Sequence, residues 1–428
     1  MANLIQPVRG MNDVLPEEAP LWDRLETAAA ELFAAYGYQR IRLPVLERTE
    51  LFSRSIGEFT DIVEKEMYTF ADRNGDSVTL RPEATAGVVR AGLSNGLLHN
   101  QQQKLWCRGP MFRREKPQKG RYRQFHQLSV EALGFAEPEI DAELVVIAAR
   151  LWDALGIESA RLELNSLGTI ESRAAYKELL VEYFSRHEAE LDADSSRRLT
   201  RNPMRILDSK NPDMRSLIAG APMLADHLDT ESREHFERVQ TFLADVGIEF
   251  SINPRLVRGL DYYTRTVFEW VTDRLGAQSA ICSGGRYDGL VAQLGGRDTP
   301  AVGWALGVER VVEVMRAEGR VVAAQRPDVF LVSVGDEARR KAFATAERLR
   351  GAVPGIHVSM GQPSSGVKAQ LRRADKSGAR YALIIGEDEL ASDKVSIKAL
   401  REELAQQLMT AEELTGYLQR RLAAAESR

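Results

Sequence analysis

Cysteine is nearly absent: Cys107 and Cys282 are the only two in 428 residues, too few for a disulfide framework or a Cys-rich zinc site. Histidine is scarce as well, six in all and with no HExxH pair, so no protein-ligated metal is expected. No apolar stretch approaches the ~20 residues of a membrane span. The opening residues Met1 to Pro7 lack the charged end and apolar run of a secretion signal. Together these absences lead to the expectation of a soluble, cytoplasmic protein with no membrane partner. Neither GxxxxGK[ST] nor GxGxxG occurs, which removes a P-loop and a dinucleotide fingerprint. No excess of positive charge exists either, since 57 Lys+Arg stand against 62 Asp+Glu for a net charge of −5. A uniformly basic nucleic-acid binder is excluded; a local basic patch is not.

What is present begins with length, which at roughly 150 residues per domain suggests about three domains. Leu21, Trp22, Leu25, Ala28, Ala29, Leu32, Phe33 and Tyr36 recur at steps of three and four before Gly37, predicting an amphipathic helix whose apolar stripe is broad enough for more than one packing partner. Gln39–Glu47 alternates with period two, and Pro44 demotes it to an edge or bent strand. Glu66–Phe70 and Ser77–Arg81 flank Asn74-Gly75-Asp76 as a hairpin. Lys104–Phe112 and Phe125–Leu133 read as two strands joined by a polar loop, followed by a helix over Ile140–Leu155 and a strand over Arg161–Asn165. Residues 167–248 change character, becoming helical and charge-dense with turns at Asn202-Pro203 and Asn211-Pro212, and read as a separate insertion. Strands resume at Glu249–Asn253 and Thr266–Val271. A linker lies at Gly319–Pro327, and strands then alternate with helices from Val329 onward, the pattern of a small α/β domain.

Five segments carry candidate chemistry. The loop from Phe112 to Arg123 holds Arg113, Arg114, Lys116, Lys119, Arg121 and Arg123 against a single acid, Glu115. Guanidinium forks suit phosphate because they form bidentate, charge-assisted bonds. Arg258-Gly-Leu-Asp-Tyr-Tyr263 offers donors and two hydroxyls before a strand. Ser283-Gly-Gly-Arg-Tyr-Asp-Gly289 reads as a glycine-rich loop that lets backbone approach a flat ligand. Ala301 to Arg310 is a Gly-spaced strand, with Gly303 and Gly307 able to admit a purine, leading to a helix whose first turn carries Arg310. Leu80 to Thr85 adds the Glu83 carboxylate and a hydroxyl, alone more consistent with a turn and cap than with a site.

Together these segments resemble the class II aminoacyl-tRNA synthetases. Phe112-Arg113-Arg114-Glu115 is similar to their motif 2, Gly303 to Arg310 to motif 3 (with Ala305 where a third glycine is common), and the helix ending at Gly37 with Arg42-Leu43-Pro44 to motif 1, the dimer element. Arg258–Tyr263 and Ser283–Asp288 resemble the two segments peculiar to the histidyl-tRNA synthetase family, as does Arg9–Pro16; HIGH and KMSKS are absent. The resemblance implies an α+β fold, an antiparallel sheet flanked by helices in two catalytic parts (1–166 and 249–322), with the insertion 167–248 and a C-terminal α/β anticodon-binding domain (327–428). It implies ATP with Mg²⁺, L-histidine and tRNA(His) as reactants and a homodimer as the working state. By the same resemblance Arg113 and Arg258 clamp the α-phosphate, Arg258 replacing a metal. Arg310 holds the γ-phosphate and covers adenine lying on Phe125, and Arg121 serves the phosphates. Glu83, Thr85 and Gln127 take the α-amino group, while Glu131, Tyr262 and Tyr263 line the imidazole pocket. In the C-terminal domain, Arg372, Arg373 and Lys376 on a basic helix are candidates for tRNA contact. The alternative is a regulatory relative of the same fold that acts in histidine biosynthesis.

Overall fold

The computed structural model describes residues 4–57, 60, 62–118, 120–207, 209, 211–276, 280–320, 326–362 and 365–426. It divides the chain into two units, 1–322 and 323–428. The first unit opens with α1 (Ala19–Ala35), which stops at Gly37, a left-handed residue at φ +79° where a side chain would be strained. β1 (Gln39–Arg40) and β2 (Leu46–Arg48) follow as two short strands, because the chain breaks at Pro44 instead of running through it. Next come α2 (Thr49–Ile56), the hairpin β3 (Tyr68–Ala71) and β4 (Ser77–Leu80), and α3 (Thr85–Ser94). The long strands β5 (Gln103–Phe112) and β6 (Gln124–Leu133) lead to α4 (Pro138–Leu155) and β7 (Arg161–Ser166). A helical segment follows, with α5 (Ile170–Arg186), α6 (Ala193–Arg201), α7 (Arg215–Gly220) and α8 (Thr230–Asp245). The unit closes with β8 (Phe250–Ile252), β9 (Thr264–Val271), β10 (Ala280–Arg286), α9 (Leu290–Gln293), β11 (Ala301–Gly307) and α10 (Val308–Ala317).

Among the described residues these strands form a sheet ordered β1-β5-β6-β11-β10-β9-β7-β8, antiparallel through its middle and parallel at both edge pairs. The pleat separates its two faces. Leu128, Val130 and Ala132 of β6, with Val302, Trp304 and Leu306 of β11, are buried against helices. The opposite face carries Phe125, Gln127 and Glu131 of β6. It continues with Ala305 of β11, which pairs with Ser283 of β10, which pairs in turn with Glu269 of β9. That polar face becomes the floor of the site.

One sequence expectation holds here and another changes. The broad stripe of α1 is accounted for inside one chain, since α1 packs on both α4 and α10 and buries Leu21, Leu25, Ala29 and Phe33 there. It therefore supplies no argument for a second copy. The helical segment is not independent of the sheet: α8 lies on α4, β7 and β9 and adds Val239 and Leu243 to the sheet's core, while Tyr176, Leu180 and Phe184 of α5 share a core with Tyr262, Tyr263 and Val267.

The second unit has its own core. β12 (Val329–Ser333), β13 (Val358–Met360), β14 (Tyr381–Ile385), β15 (Val395–Ala399) and β16 (Gln407–Met409) form a mixed sheet ordered β13-β12-β14-β15-β16. It packs with α11 (Asp336–Ala352), α12 (Val367–Lys376), α13 (Glu387–Ala391) and α14 (Ala411–Glu426). Most of the linker expected at Gly319–Pro327, residues 321–325, lies outside the described residues. Among the described residues no helix is long and apolar enough to cross a membrane.

Candidate active site

The polar face of the sheet opens into a cavity of about 180 Å³ lined by Glu83, Thr85, Arg113, Arg121, Phe125, Gln127, Arg258, Tyr262, Tyr263 and Arg310, together with Glu115, Tyr122, Ser283, Ala305, Gly307 and Glu309. A wider cleft of about 850 Å³ shares Arg113, Glu115, Arg121, Arg258, Ser283 and Arg310 with it and extends to Arg198, Arg205 and Arg255 near the helical segment. Small residues, Ala305 and Ser283, make the floor because a larger side chain at either register position would fill the space above the sheet.

Four guanidinium groups meet at this cavity. Arg113 donates from Nε to the Pro82 carbonyl at 2.8 Å and lies 5.3 Å from the centre of the Phe125 ring. Arg121 pairs through Nε with Glu115 at 2.6 Å. Arg310 sits in the first turn of α10, and burial, reinforced by the nearby Arg121, lowers its pKa to about 10. Arg258 forms an ion pair with Glu269 and stands 5.5 Å from the Tyr263 ring centre, with its Nε buried and without a protein partner. Burial acts to lower the Arg258 pKa, but Glu269 together with Tyr263 and Tyr262 outweighs it, and the group is held charged above its usual value. A site so rich in fixed positive charge suits a polyanion such as a nucleoside triphosphate.

Beside the arginines lies a pocket of different character. Tyr262 and Tyr263 have ring centres 4.7 Å apart, and Tyr287 closes the group at 5.6 and 6.4 Å. Glu83 accepts the backbone N–H of Thr85 at 2.6 Å and of Ala86 at 2.9 Å, capping α3 while lining the cavity. Burial raises its pKa against the pull of those two N–H groups and of Arg113. Gln127 keeps a buried Oε1 with no protein partner, a donor-seeking atom at the cavity wall. Glu131, 1% exposed, lies beneath: its Oε1 accepts from the Thr85 hydroxyl at 2.7 Å and its Oε2 from Tyr287.

Burial pushes the Glu131 carboxyl up to about 8, although the Tyr287 and Thr85 hydroxyls pull it down. A carboxyl whose folded pKa exceeds its ordinary value gives stability that is full below about 4.5 and is lost as pH rises through about 8. Glu131→Gln, a neutral isostere that can still meet both hydroxyls, is therefore expected to lose less stability than the parent between pH 6 and about 9. Thermal unfolding of both proteins across that range checks it; parallel pH profiles would contradict the assignment.

The comparisons with known proteins bear on this geometry. The family profile described as histidyl-tRNA synthetase matches residues 10–311, and the anticodon-binding domain profile matches residues 328–421. A histidine–tRNA ligase from Halorhodospira halophila is 58% identical over 414 residues, 97% of each chain. The chain belongs to the histidyl-tRNA synthetase family. A second ligase of that name, from Hydrogenovibrio crunogenus, is 53% identical over 96% of each chain. The crystal structure of apo S. aureus histidyl-tRNA synthetase matches with a TM-score of 0.82 at 35% identity, covering 97% of this chain and all of that one. A Bacillus halodurans protein described as an ATP phosphoribosyltransferase regulatory subunit/histidyl-tRNA synthetase matches at 21% identity and a TM-score of 0.63, which shows a shared fold alone. The family's members are aminoacyl-tRNA synthetases that use ATP, and the regulatory alternative is not favoured.

For a histidyl-tRNA synthetase, several residues stand elsewhere than the sequence pattern suggests. Ser283-Gly-Gly-Arg286 is not a loop but the end of strand β10; Gly284 is required by the backbone and Trp304 of the neighbouring strand, not by a ligand. Gly303 does not border the cavity, since a Cβ there would collide with the Glu131 carboxylate. Arg286 is wholly buried in an ion pair with Asp141 and bonds to the carbonyls of Phe135 and Glu137. Arg113 stands over the Phe125 ring that the sequence pattern places beneath adenine. Glu131 supports the pocket through Thr85 and Tyr287 and is not among the residues lining it. Lys119 lies outside the described residues. Glu269 and Tyr287 were missed, though Glu269 is the one acid in the apolar run Thr266–Val271, a signal that alternation alone could have raised.

Proposed function

We propose that this cavity activates L-histidine with ATP and passes the histidyl group to the 3′ end of tRNA(His). The histidine carboxylate attacks the α-phosphorus in line, the bond to the β-phosphate oxygen breaks, and pyrophosphate leaves. The terminal ribose hydroxyl then attacks the histidyl carbonyl and AMP departs. The observation that carries this reading is the meeting of Arg113, Arg121, Arg258 and Arg310 with the pocket of Glu83, Thr85, Gln127, Tyr262 and Tyr263 in one cavity. In it, Arg113 and Arg258 stabilise charge on the α-phosphate oxygens, Arg121 and Arg310 hold the outer phosphates, and Phe125 supports the adenine. Glu83 and Gln127 accept from the cationic amine, and the tyrosine hydroxyls distinguish imidazole from other rings by leaving buried groups unpaired when the wrong ligand enters. Among the described residues no group of three metal-ligating side chains forms. Mg²⁺ would be held as a companion of the phosphate oxygens, with Glu115, paired with Arg121, the acid on that side, and would supply charge neutralisation when bound. ATP–pyrophosphate exchange dependent on histidine, and not on glutamine or tyrosine, tests the reading; no exchange with any amino acid would favour the regulatory alternative.

The second unit serves the tRNA. Lys368, Arg372 and Lys376 recur at steps of four along α12 and are exposed with Arg373, while the one acid between them, Asp375, is neutralised by Arg401 at 2.8 Å. Replacing Arg372 and Arg373 together by Ala is expected to raise the tRNA KM and to flatten its salt dependence by roughly 0.7–0.9 in log–log slope for each phosphate no longer neutralised. Exchange should be unchanged; an unaltered slope would return the patch to an ordinary solvated face.

Homodimerisation and cytoplasmic residence complete the reading. The exposed apolar residues Val45, Leu46 and Phe70, on or beside the small sheet β2-β4-β3, support a covered surface there. Light scattering giving the 47.8 kDa monomer mass in a fully active sample would remove the dimer.

A further inference from the structure

We infer that Arg173 of α5 is a positioning residue for histidine selection, fixing from the helical segment the backbone that carries Tyr262 and Tyr263. The inference rests on the function proposed above and deepens it. Residues 258–263 belong to no helix or strand, so their shape is set by bonds from elsewhere. The Arg173 guanidinium supplies two of them, donating to the carbonyl of Asp261 at 3.0 Å and to that of Tyr263. These carbonyls bracket Tyr262, and a planar fork of donors fits such a pair where a single ammonium cannot.

The neighbouring bonds run in the same direction. Asn202, just after α6, donates to the Asp261 carboxylate at 2.8 Å, and the Asp261 N–H donates to Ile56 at the end of α2. On the far side of the tyrosines, Arg265 adopts a left-handed conformation at φ +47°, uncommon for a residue with a side chain. It is held there by bonds to the start of the helical segment: its N–H donates to Gly168 at 2.8 Å and its carbonyl accepts from Leu167 at 2.7 Å. The tyrosine segment is thus gripped at both ends by residues 167–173. Arg173 is the one among them whose side chain reaches the backbone on either side of Tyr262, and it touches none of the groups assigned to ATP.

The test is calorimetric titration of the full chain with L-histidine alone, and separately with ATP, for the parent, Arg173→Ala and Arg173→Lys. Loss of both donors should weaken histidine binding about tenfold or more in Arg173→Ala, with ATP affinity within about twofold. Arg173→Lys, which keeps the charge but gathers its donors on one nitrogen, should recover part of the loss. A folded Arg173→Ala protein that binds histidine as tightly as the parent overturns the inference, and so does an equal loss for both ligands. If Arg173→Ala does not fold, Arg173→Lys decides: about threefold weaker histidine binding supports the role, and unchanged binding removes it. A parent protein that fails to bind histidine would overturn the proposed function instead.

Discussion

Arg258→Ala is expected to slow histidyl-adenylate formation by roughly 10²–10³-fold, the usual cost of removing one group aimed at charge that develops in the transition state. Histidine affinity should change far less. Arg258 meets the proposed amino-acid pocket at the face of Tyr263, 5.5 Å from its ring centre, while its Nε has no protein partner among the described residues. Glu269 makes the loss worse, because the variant leaves that carboxylate in the cleft without its cation. Adding Glu269→Gln to Arg258→Ala should therefore recover part of the rate, by removing a negative charge that repels the phosphates, without restoring the parent level. Single-turnover activation monitored by rapid quench measures both effects. A rate within about threefold of the parent in the single variant would sink the role given to Arg258.

Ending the chain at Val322 should spare pyrophosphate exchange to within about threefold while reducing tRNA charging by about 100-fold or more, since nucleic-acid affinity falls steeply as cationic partners for the phosphates are removed. The reason is the placement of the chemistry. Every described residue lining the cavity lies between Glu83 and Arg310, within the first unit, and the two units bury separate cores. Circular dichroism establishes that the shortened protein is folded. Loss of exchange in a folded sample would show that the second unit supports the site.

The elements and the arginines were legible because both leave local signatures. α1 and α4 follow from three-and-four spacing with a glycine stop, and the loop between β5 and β6 declares itself by its run of basic residues. What was not legible depends on pairing between distant strands. Gly303 read as an approach for a purine because only the register β6–β11, Glu131 opposite Gly303, shows that it makes room for a buried carboxylate. Ser283-Gly-Gly-Arg286 read as a turn because glycines mark turns more often than tight strand packing. Arg286 and Asp141 are far apart in sequence, so nothing local told that arginine from a ligand-binding one. The helical segment's hold on the tyrosines was hidden for the same reason, since Arg173 acts on carbonyls, which no sequence pattern displays.

The central claim is that one cavity joins histidine to AMP and then releases it to tRNA. Enzyme mixed with labelled histidine, ATP and Mg²⁺, separated from free ligands and then given tRNA(His) without further ATP, tests it directly. Bound histidyl-adenylate is expected at about one per occupied site, with transfer of that label to the tRNA faster than it hydrolyses. Retained histidine that is not linked to AMP, or adenylate that fails to chase into tRNA(His), would contradict it.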